Sequence, residues 1–188
     1  MRLKYWALFL GLLAVLAACG CVGEKKENIQ TVTLYGPTED RDCNLSVNLP
    51  DGFYIDKSAK PFASNGIMMS GIKILNKNLT GVMGVILLNM NEPKRSMFML
   101  NDLSDFVNKS VNYHSQYLSS VDGKFIGRDG RAWHFFERIG ADLNEQDIWF
   151  FGVPMDDKAA ILISSSYPKN VTDEFLNNMQ IKSVIKNK

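Results

Sequence analysis

The sequence predicts an α+β fold in which helices pack on an antiparallel sheet. Alternating apolar and polar residues, typical of half-buried strands, recur in the first half of the chain. One helical segment follows, and three consecutive strand-like segments and a short helical pattern complete the chain. Strands grouped in this way, with few helices between them, favour an antiparallel sheet over a βαβ arrangement.

The first five strands are separated by turns rich in Pro, Gly and Asp. Strict alternation predicts that Asn44–Leu49 is half-buried, whereas Gly81–Met90 is apolar on both faces and is predicted to be a central strand. The five segments are Thr31–Tyr35, Asn44–Leu49, Phe53–Ile55, Ile67–Asn76 and Gly81–Met90.

A helix is predicted after these strands. Apolar residues at helical spacing form one stripe from Leu103 to Val121 that includes Leu118, and Asn101 or Asp102 can cap the start. Asp122-Gly123 is predicted to end the helix.

The second half of the chain is predicted to be a meander. Asp129-Gly130 is the dipeptide expected in a two-residue hairpin turn. The predicted strands are Ala132–Ile139, Asp147–Val153 and Ala159–Ser164, and Asn170 can cap a last helix that carries Val171, Phe175, Leu176 and Met179.

The N-terminus has the pattern of a secretory signal. Two basic residues precede an uncharged segment, Tyr5–Ala18, which is shorter than the ~20 apolar residues of a membrane-spanning helix. Residues 19–23 lengthen the apolar segment, so an uncleaved anchor is the alternative.

The order Leu16-Ala17-Ala18-Cys19 resembles the lipobox of prokaryotic lipoproteins. That resemblance implies cleavage before Cys19 and a diacylglycerol on its sulfur, whereas Cys21 fits the pattern less well. We therefore expect a signal peptide at 1–18, a lipidated tether at 19–28 and one domain at 29–188. The expected location is the extracytoplasmic face of the cell membrane, held there by the lipid anchor.

The order of elements also resembles the PsbP-type sandwich. The segments that carry the likeness are NLSVNLPDGFYI (44–55), LSDFVNKSV (103–111), DGRAWHFFE (129–137) and VTDEFLNNMQIKSV (171–184). The resemblance implies a binding or assembly module, commonly secreted or lipid-anchored, and no single activity.

Charge and motifs limit the functional classes. Removal of residues 1–18 leaves 19 basic and 20 acidic residues, so the mature chain lacks the basic excess typical of nucleic-acid binding. No metal or cofactor motif is present in the sequence, and no cofactor is expected. A disulfide between Cys21 and Cys43 is possible outside the cytoplasm, and the alternative is that Cys43 is a small apolar core residue.

Two groups of residues are candidate binding sites. Met97 and Phe98 follow a basic pair and suit a membrane or partner surface, although Phe98 could instead fix the helix start to the core. Trp133 and Trp149 belong to an aromatic cluster that forms either core or a solute pocket between sheet and helix. Four glycosylation sequons occur, and Asn78 is the candidate because it is predicted to lie in a turn.

The leading hypothesis is a lipid-anchored, non-catalytic binding or assembly module whose partners are the membrane and a membrane-associated protein. A small-ligand receptor with an aromatic pocket is the alternative, and a hydrolase is the third hypothesis. A histidine within reach of an exposed serine and an acidic residue would favour the hydrolase.

The lipobox leads to a first prediction. The N-terminal peptide of the native protein should begin at Cys19 and carry the mass of a diacylglycerol. Mass spectrometry of that peptide checks this, with Cys21→Ser, which should still be lipidated, as the matched control. An unmodified Cys19 that follows an intact Ala18 would contradict the lipoprotein interpretation.

Overall fold

The computed structural model describes residues 28–35, 41–57, 61–64, 67–79, 81–90, 100–111, 115–139, 144–155 and 159–185. Most of the described residues lie in strands, and two helices complete the regular structure. The strands are β1 (Ile29–Tyr35), β2 (Arg41–Asn48), β3 (Phe53–Asp56), β4 (Phe62–Ser64), β5 (Ile67–Asn76), β6 (Val82–Met90), β7 (Gln116–Phe125), β8 (Arg128–Ile139), β9 (Asn144–Pro154), β10 (Ala159–Ser165) and β11 (Met179–Ile185), and the helices are α1 (Leu100–Ser110) and α2 (Lys169–Asn178).

The strands form two sheets in which the described pairings are antiparallel. The small sheet has the order β1-β2-β11. The large sheet has the order β3-β5-β6-β10-β9-β8-β7, with β4 added beside β5. This arrangement confirms the predicted α+β fold. Among the residues described above, no helix is long and apolar enough to cross a membrane.

The large sheet is covered on both faces. The small sheet and α2 pack on one face around a core that includes Leu45, Val47, Ile74, Val85, Ile161 and Phe175. On the opposite face, α1 places Leu103 and Val107 against a second core that includes Leu88, Trp133, Phe150 and Leu162. The domain is therefore a sandwich of three layers with the large sheet in the middle.

Tyr167 joins α2 to the edge of the large sheet. Its side chain is buried, and its hydroxyl donates a hydrogen bond to the carbonyl oxygen of Ile74 at 3.3 Å. Phe53 packs edge-on against Tyr167 at 5.5 Å and against Phe175 at 4.9 Å between ring centroids. Gly81 is required beside this cluster, because a Cβ there would overlap the Tyr167 ring.

Several strands agree with the sequence prediction. In β2, the side chains of Cys43, Leu45 and Val47 point into the core and alternate with half-buried residues. β6 lies between β5 and β10, as its two apolar faces predicted. Cys21 lies outside the described residues, so the disulfide with Cys43 stays untested.

The predicted first helix is too long. α1 ends at Ser110, and Leu118 and Val121 lie in β7, which pairs with β8 along its length. The reason is that a hairpin partner satisfies the backbone of this segment, and its tyrosine, valine and phenylalanine residues suit a strand better than a helix. Asp122-Gly123 is consequently inside β7 and ends no helix.

The predicted hairpin turn is misplaced by three residues. Asp129-Gly130 lies in β8, and the turn is formed by Ile126 and Gly127, whose φ angles of 48° and 78° are the positive values that a type I′ turn requires. Gly130 serves a different purpose, because a Cβ there would lie 2.5 Å from the carbonyl oxygen of Gly152. Close approach of two backbones explains the glycine.

The ends of the helices also differ from the prediction. α1 begins at Leu100, one residue before the predicted cap Asn101. Pro168 precedes α2, so Asn170 lies in the first turn rather than at the cap. Met179, assigned by its spacing to the last helix, begins β11 instead.

Tyr167 contributes to the free energy of unfolding in a way that depends on pH in the alkaline range. Burial raises the pKa of its phenol above the ordinary value of about 10. The neutral phenol is thus favoured in the folded state, so its contribution is complete below pH ~10 and is lost as the pH rises through the higher folded pKa.

Tyr167→Phe should lower the free energy of unfolding at neutral pH by about 1 kcal/mol, because it removes one hydrogen bond. The difference in unfolding free energy between the two proteins should shrink above pH ~10. There the phenol of Tyr167 ionises in the unfolded parent chain, whereas the variant has no ionisable group at this position. Urea unfolding at pH 8 and pH 10.5 measures both differences, and an equal difference at the two pH values would contradict the argument.

Candidate functional site

The structure separates the two candidate tryptophans. Trp133 is buried beneath α1, whereas Trp149 packs against the core on the opposite face of the large sheet. The two side chains therefore cannot line one pocket. Met97, Phe98 and Cys19 lie outside the described residues.

The aromatic side chains beneath α1 form a packed layer. Trp133 and Phe135 are 3% and 2% exposed, and Phe135 packs edge-on against Phe150 with ring centroids 5.8 Å apart. A Cβ at Gly152 would lie 2.8 Å from the Trp133 ring, so the glycine makes room for the indole. Trp133 is therefore part of the core, which is one of the two alternatives that the sequence left open.

Trp149 lies in a cluster of aromatic and charged groups. The imidazole of His134 on β8 stacks on the indole with centroids 3.7 Å apart and an interplanar angle of 6°. The ammonium of Lys169, the first residue of α2, lies over the indole 5.3 Å from its centroid. His134 Nε2 is 2.7 Å from the Asp147 carboxylate, and Lys169 Nζ donates to both oxygens of Asp173.

This cluster joins β8, β9 and α2. A cation over an indole and a histidine bonded to a carboxylate are both stabilising contacts at a partly exposed site. Ser119 lies directly opposite His134 in the register of β7 and β8, but within the described ranges no hydrogen bond joins the two side chains. Nor do the described residues include a group of His, Cys, Asp or Glu that could hold a metal ion.

Among the described residues, an exposed apolar surface lies on β7, which ends the path of the large sheet. Residues from Gln116 to Lys124 are exposed, and only Phe125 is half-buried. Tyr117, Leu118 and Val121 are 52%, 44% and 62% exposed. Among the described strands, β7 has a partner on one side only, β8, and such an edge strand can pair with another chain.

A β-bulge and two side-chain contacts characterise the pairing of β7 with β8. The register shifts between Tyr117 and Ser119, which is the pattern of a β-bulge at Leu118. The ring of Tyr117 packs edge-on against Phe135 at 5.6 Å. Asp122 accepts two hydrogen bonds from the Arg131 guanidinium, at 2.5 and 3.0 Å, and this partner holds the pKa of the Asp122 carboxyl below its usual range.

Sequence reasoning missed this surface, because it assigned Leu118 and Val121 to the buried stripe of a helix. The segment Tyr117-Leu118-Ser119-Ser120-Val121 carried a usable signal. It is poor in helix formers. Gly127, which can make a hairpin turn, lies between this segment and Ala132–Ile139.

Asn78 lies in the turn between β5 and β6, as predicted, and its side chain is exposed. Its backbone N–H donates to the side-chain oxygen of Asn76 at 2.7 Å. Thr80, the third residue of the sequon, lies outside the described residues.

The fold defines an α+β protein with a large antiparallel sheet that is covered on both faces and that ends at β7 among the described strands. No protein family and no curated protein matches this sequence. Among solved structures, the chain is similar to LpqN of Mycobacterium tuberculosis, which is described as involved in cell envelope biogenesis. The TM-score is 0.52 and the identity 11%, over 84% of this chain and 94% of LpqN, so the likeness concerns the fold.

An open edge has a measurable consequence for β7. In an antiparallel pair, alternate amides of the outer strand bond to the neighbour and the others point outward. The outward amides of β7 should therefore exchange with solvent rapidly, whereas the amides of β10, which has a neighbour on each side, should be protected. Residue-resolved hydrogen exchange by NMR tests this, and uniform protection along β7 would show that its edge is covered.

Proposed function

We propose that this protein is a lipid-anchored extracytoplasmic assembly module without catalytic activity, and that it binds an extended segment of a membrane-associated protein along β7. The observation that carries the proposal is the open edge of the large sheet, with three exposed apolar side chains on one strand. An edge strand of 10 residues offers a partner enough backbone hydrogen bonds for strand addition.

The anchor and the envelope location rest on two separate supports. The sequence Leu16-Ala17-Ala18-Cys19 resembles a lipobox. LpqN, which has a similar fold, is described as involved in cell envelope biogenesis. The PsbP-like character of the sandwich belongs to the same proposal and is in keeping with a module that binds or assembles.

The side chains of β7 indicate what the partner strand carries. Tyr117 contacts Phe135 and so lies on the α1 side of the sheet, whereas Val121 pairs with Ala132 and lies on the side of the small sheet. Apolar groups thus flank the edge on both faces. A partner strand with apolar side chains on both faces would extend both cores outward.

The geometry favours this surface over a ligand pocket or an active site. The aromatic layer beneath α1 is filled by its own side chains. The imidazole of His134 forms a hydrogen bond with Asp147 and stacks on Trp149, and these two contacts fix its orientation on the sheet. β7, by contrast, presents unpaired backbone groups and uncovered apolar area together.

A photo-crosslinking experiment tests the proposal. Benzoylphenylalanine at Val121 in the full protein in native membranes should crosslink to a membrane-associated protein. The matched control is the same group at Gln180, an exposed position on β11 at the edge of the small sheet. Support requires that the crosslinked peptide be identified, and that a synthetic copy of it protect the outward amides of β7 from exchange.

To test a substitution at Val121, the photo-crosslinking group is placed at the nearby Ser119 instead. Val121→Lys should then abolish the crosslink to the partner, because a charge on an edge strand opposes strand addition. Gln180→Lys adds the same charge at the other sheet edge and should leave the crosslink unchanged. Both positions are exposed, so thermal unfolding should differ from the parent protein by little. Crosslinks at Gln180 alone, or only between copies of this chain, would overturn the proposed partner.

A further inference from the structure

A second group of exposed apolar residues lies at the opposite edge of the large sheet. Tyr54 and Leu79 are each 41% exposed and Val82 is 38% exposed. Tyr54 pairs with Leu75, and Leu75 pairs with Val82, so these side chains share one face of three adjacent strands. Leu79 follows in the turn between β5 and β6.

The tether joins the domain at this same end. The carbonyl of Asn28 accepts a hydrogen bond from the Leu49 N–H at 3.0 Å, and its N–H donates to the side chain of Asn48 at 3.0 Å. Leu49 leads directly into the turn before β3, the strand that carries Tyr54.

The length of the tether limits how far this end can stand from the membrane. Eight residues lie between Cys19 and Asn28, and the nine residue-to-residue steps span at most about 30 Å when fully extended. The group formed by Tyr54, Leu79 and Val82, here called the tether-end patch, lies at the end of the domain where residue 28 pairs with Leu49 and where β3 begins.

Three exposed lysines lie on or next to the strands that carry the tether-end patch. Lys57, Lys73 and Lys77 are exposed there, whereas Asp51 is exposed and Asp56 is half-buried opposite Lys73. Lysines beside a tyrosine and aliphatic groups suit a bilayer interface, where the apolar parts enter the headgroup boundary and the ammonium groups meet phosphates.

We propose that the tether-end patch docks on a bilayer that contains anionic phospholipid and so fixes the orientation of the domain on the membrane. This inference rests on the proposed lipid anchor. A protein partner is the weaker candidate here, because β3 offers an edge of only 4 residues, whereas β7 offers 10. Docking through this edge places β7 on the far edge of the sheet, six strand spacings or about 29 Å away.

Lipid crosslinking tests the contact in the anchored protein. Benzoylphenylalanine at Leu79, in the lipidated protein reconstituted in phosphatidylcholine–phosphatidylglycerol vesicles, should form a phospholipid adduct that intact-mass measurement detects. The same group at Val121, on the opposite edge, is the matched control and should form none. Equal adduct yields at the two positions would show that the domain has no fixed orientation on the vesicle. The same probe at Leu79 is also tested in native membranes, where adducts with protein alone would indicate a protein-binding surface. Either result overturns the inference.

A second measurement separates this inference from the anchor. The Cys19→Ser chain that begins at residue 19 retains both cores, which are built from residues between Val32 and Met179. It should cosediment with the same vesicles in proportion to their phosphatidylglycerol content. Replacement of Lys73 or Lys77 by Gln should lower this partition about fivefold per lysine.

The two proposals then fail in different ways. Cosedimentation by the Cys19→Ser chain together with an unmodified native Cys19 would remove the anchor and keep the docking surface. A lipidated Cys19 with no adduct at Leu79 and no cosedimentation would keep the anchor and overturn the docking surface. Leu79→Ser, exposed and therefore expected to fold, should reduce cosedimentation in the same direction as the lysine variants.

Discussion

The constraint on which the rest of the structure depends is that the central strands of the large sheet are apolar on both faces. In β10, every residue from Ala159 to Ile163 is buried, and β6 buries Val85 and Leu87 on one face and Leu88 on the other. Neither strand could stand at the surface of a two-layer protein, because each buried methylene group exposed to water costs about 0.8 kcal/mol. Both faces of the large sheet must therefore be covered. The small sheet and α2 cover one face, and α1 covers the other.

The covers are smaller than the sheet. α1 has 11 residues and is about 16 Å long, whereas the seven strands along the path of the sheet extend about 29 Å across it. Apolar residues at the centre are thus buried, and those at the margins stay exposed among the described residues. This explains why exposed apolar side chains occur at β7 on one edge and at β3 and the start of β6 on the other.

The sequence predicted the centre of the fold better than its margins, for a physical reason. Burial on one or both faces left a clear pattern in Asn44–Leu49 and Gly81–Met90, and both predictions are confirmed. β7 is exposed on both faces, so no burial pattern existed to reveal its period, and the chance spacing of Leu118 and Val121 suggested a helix. Trp133 and Trp149 were correctly placed on neighbouring strands, but which face each occupies depends on register, which a shift of one residue reverses.

Three features of β7 limit which strand could pair with its outer edge. A bulge at Leu118, the Asp122–Arg131 ion pair and Lys124 lie along the strand, and such features oppose the addition of a strand that does not match them. Two copies of β7 would meet with their bulges and charges unmatched, whereas a different chain can supply a residue opposite the bulge and a carboxylate opposite Lys124. These features therefore discourage self-association, and the proposed partner strand would have to match them. A domain held to the membrane by its other edge would present β7 outward.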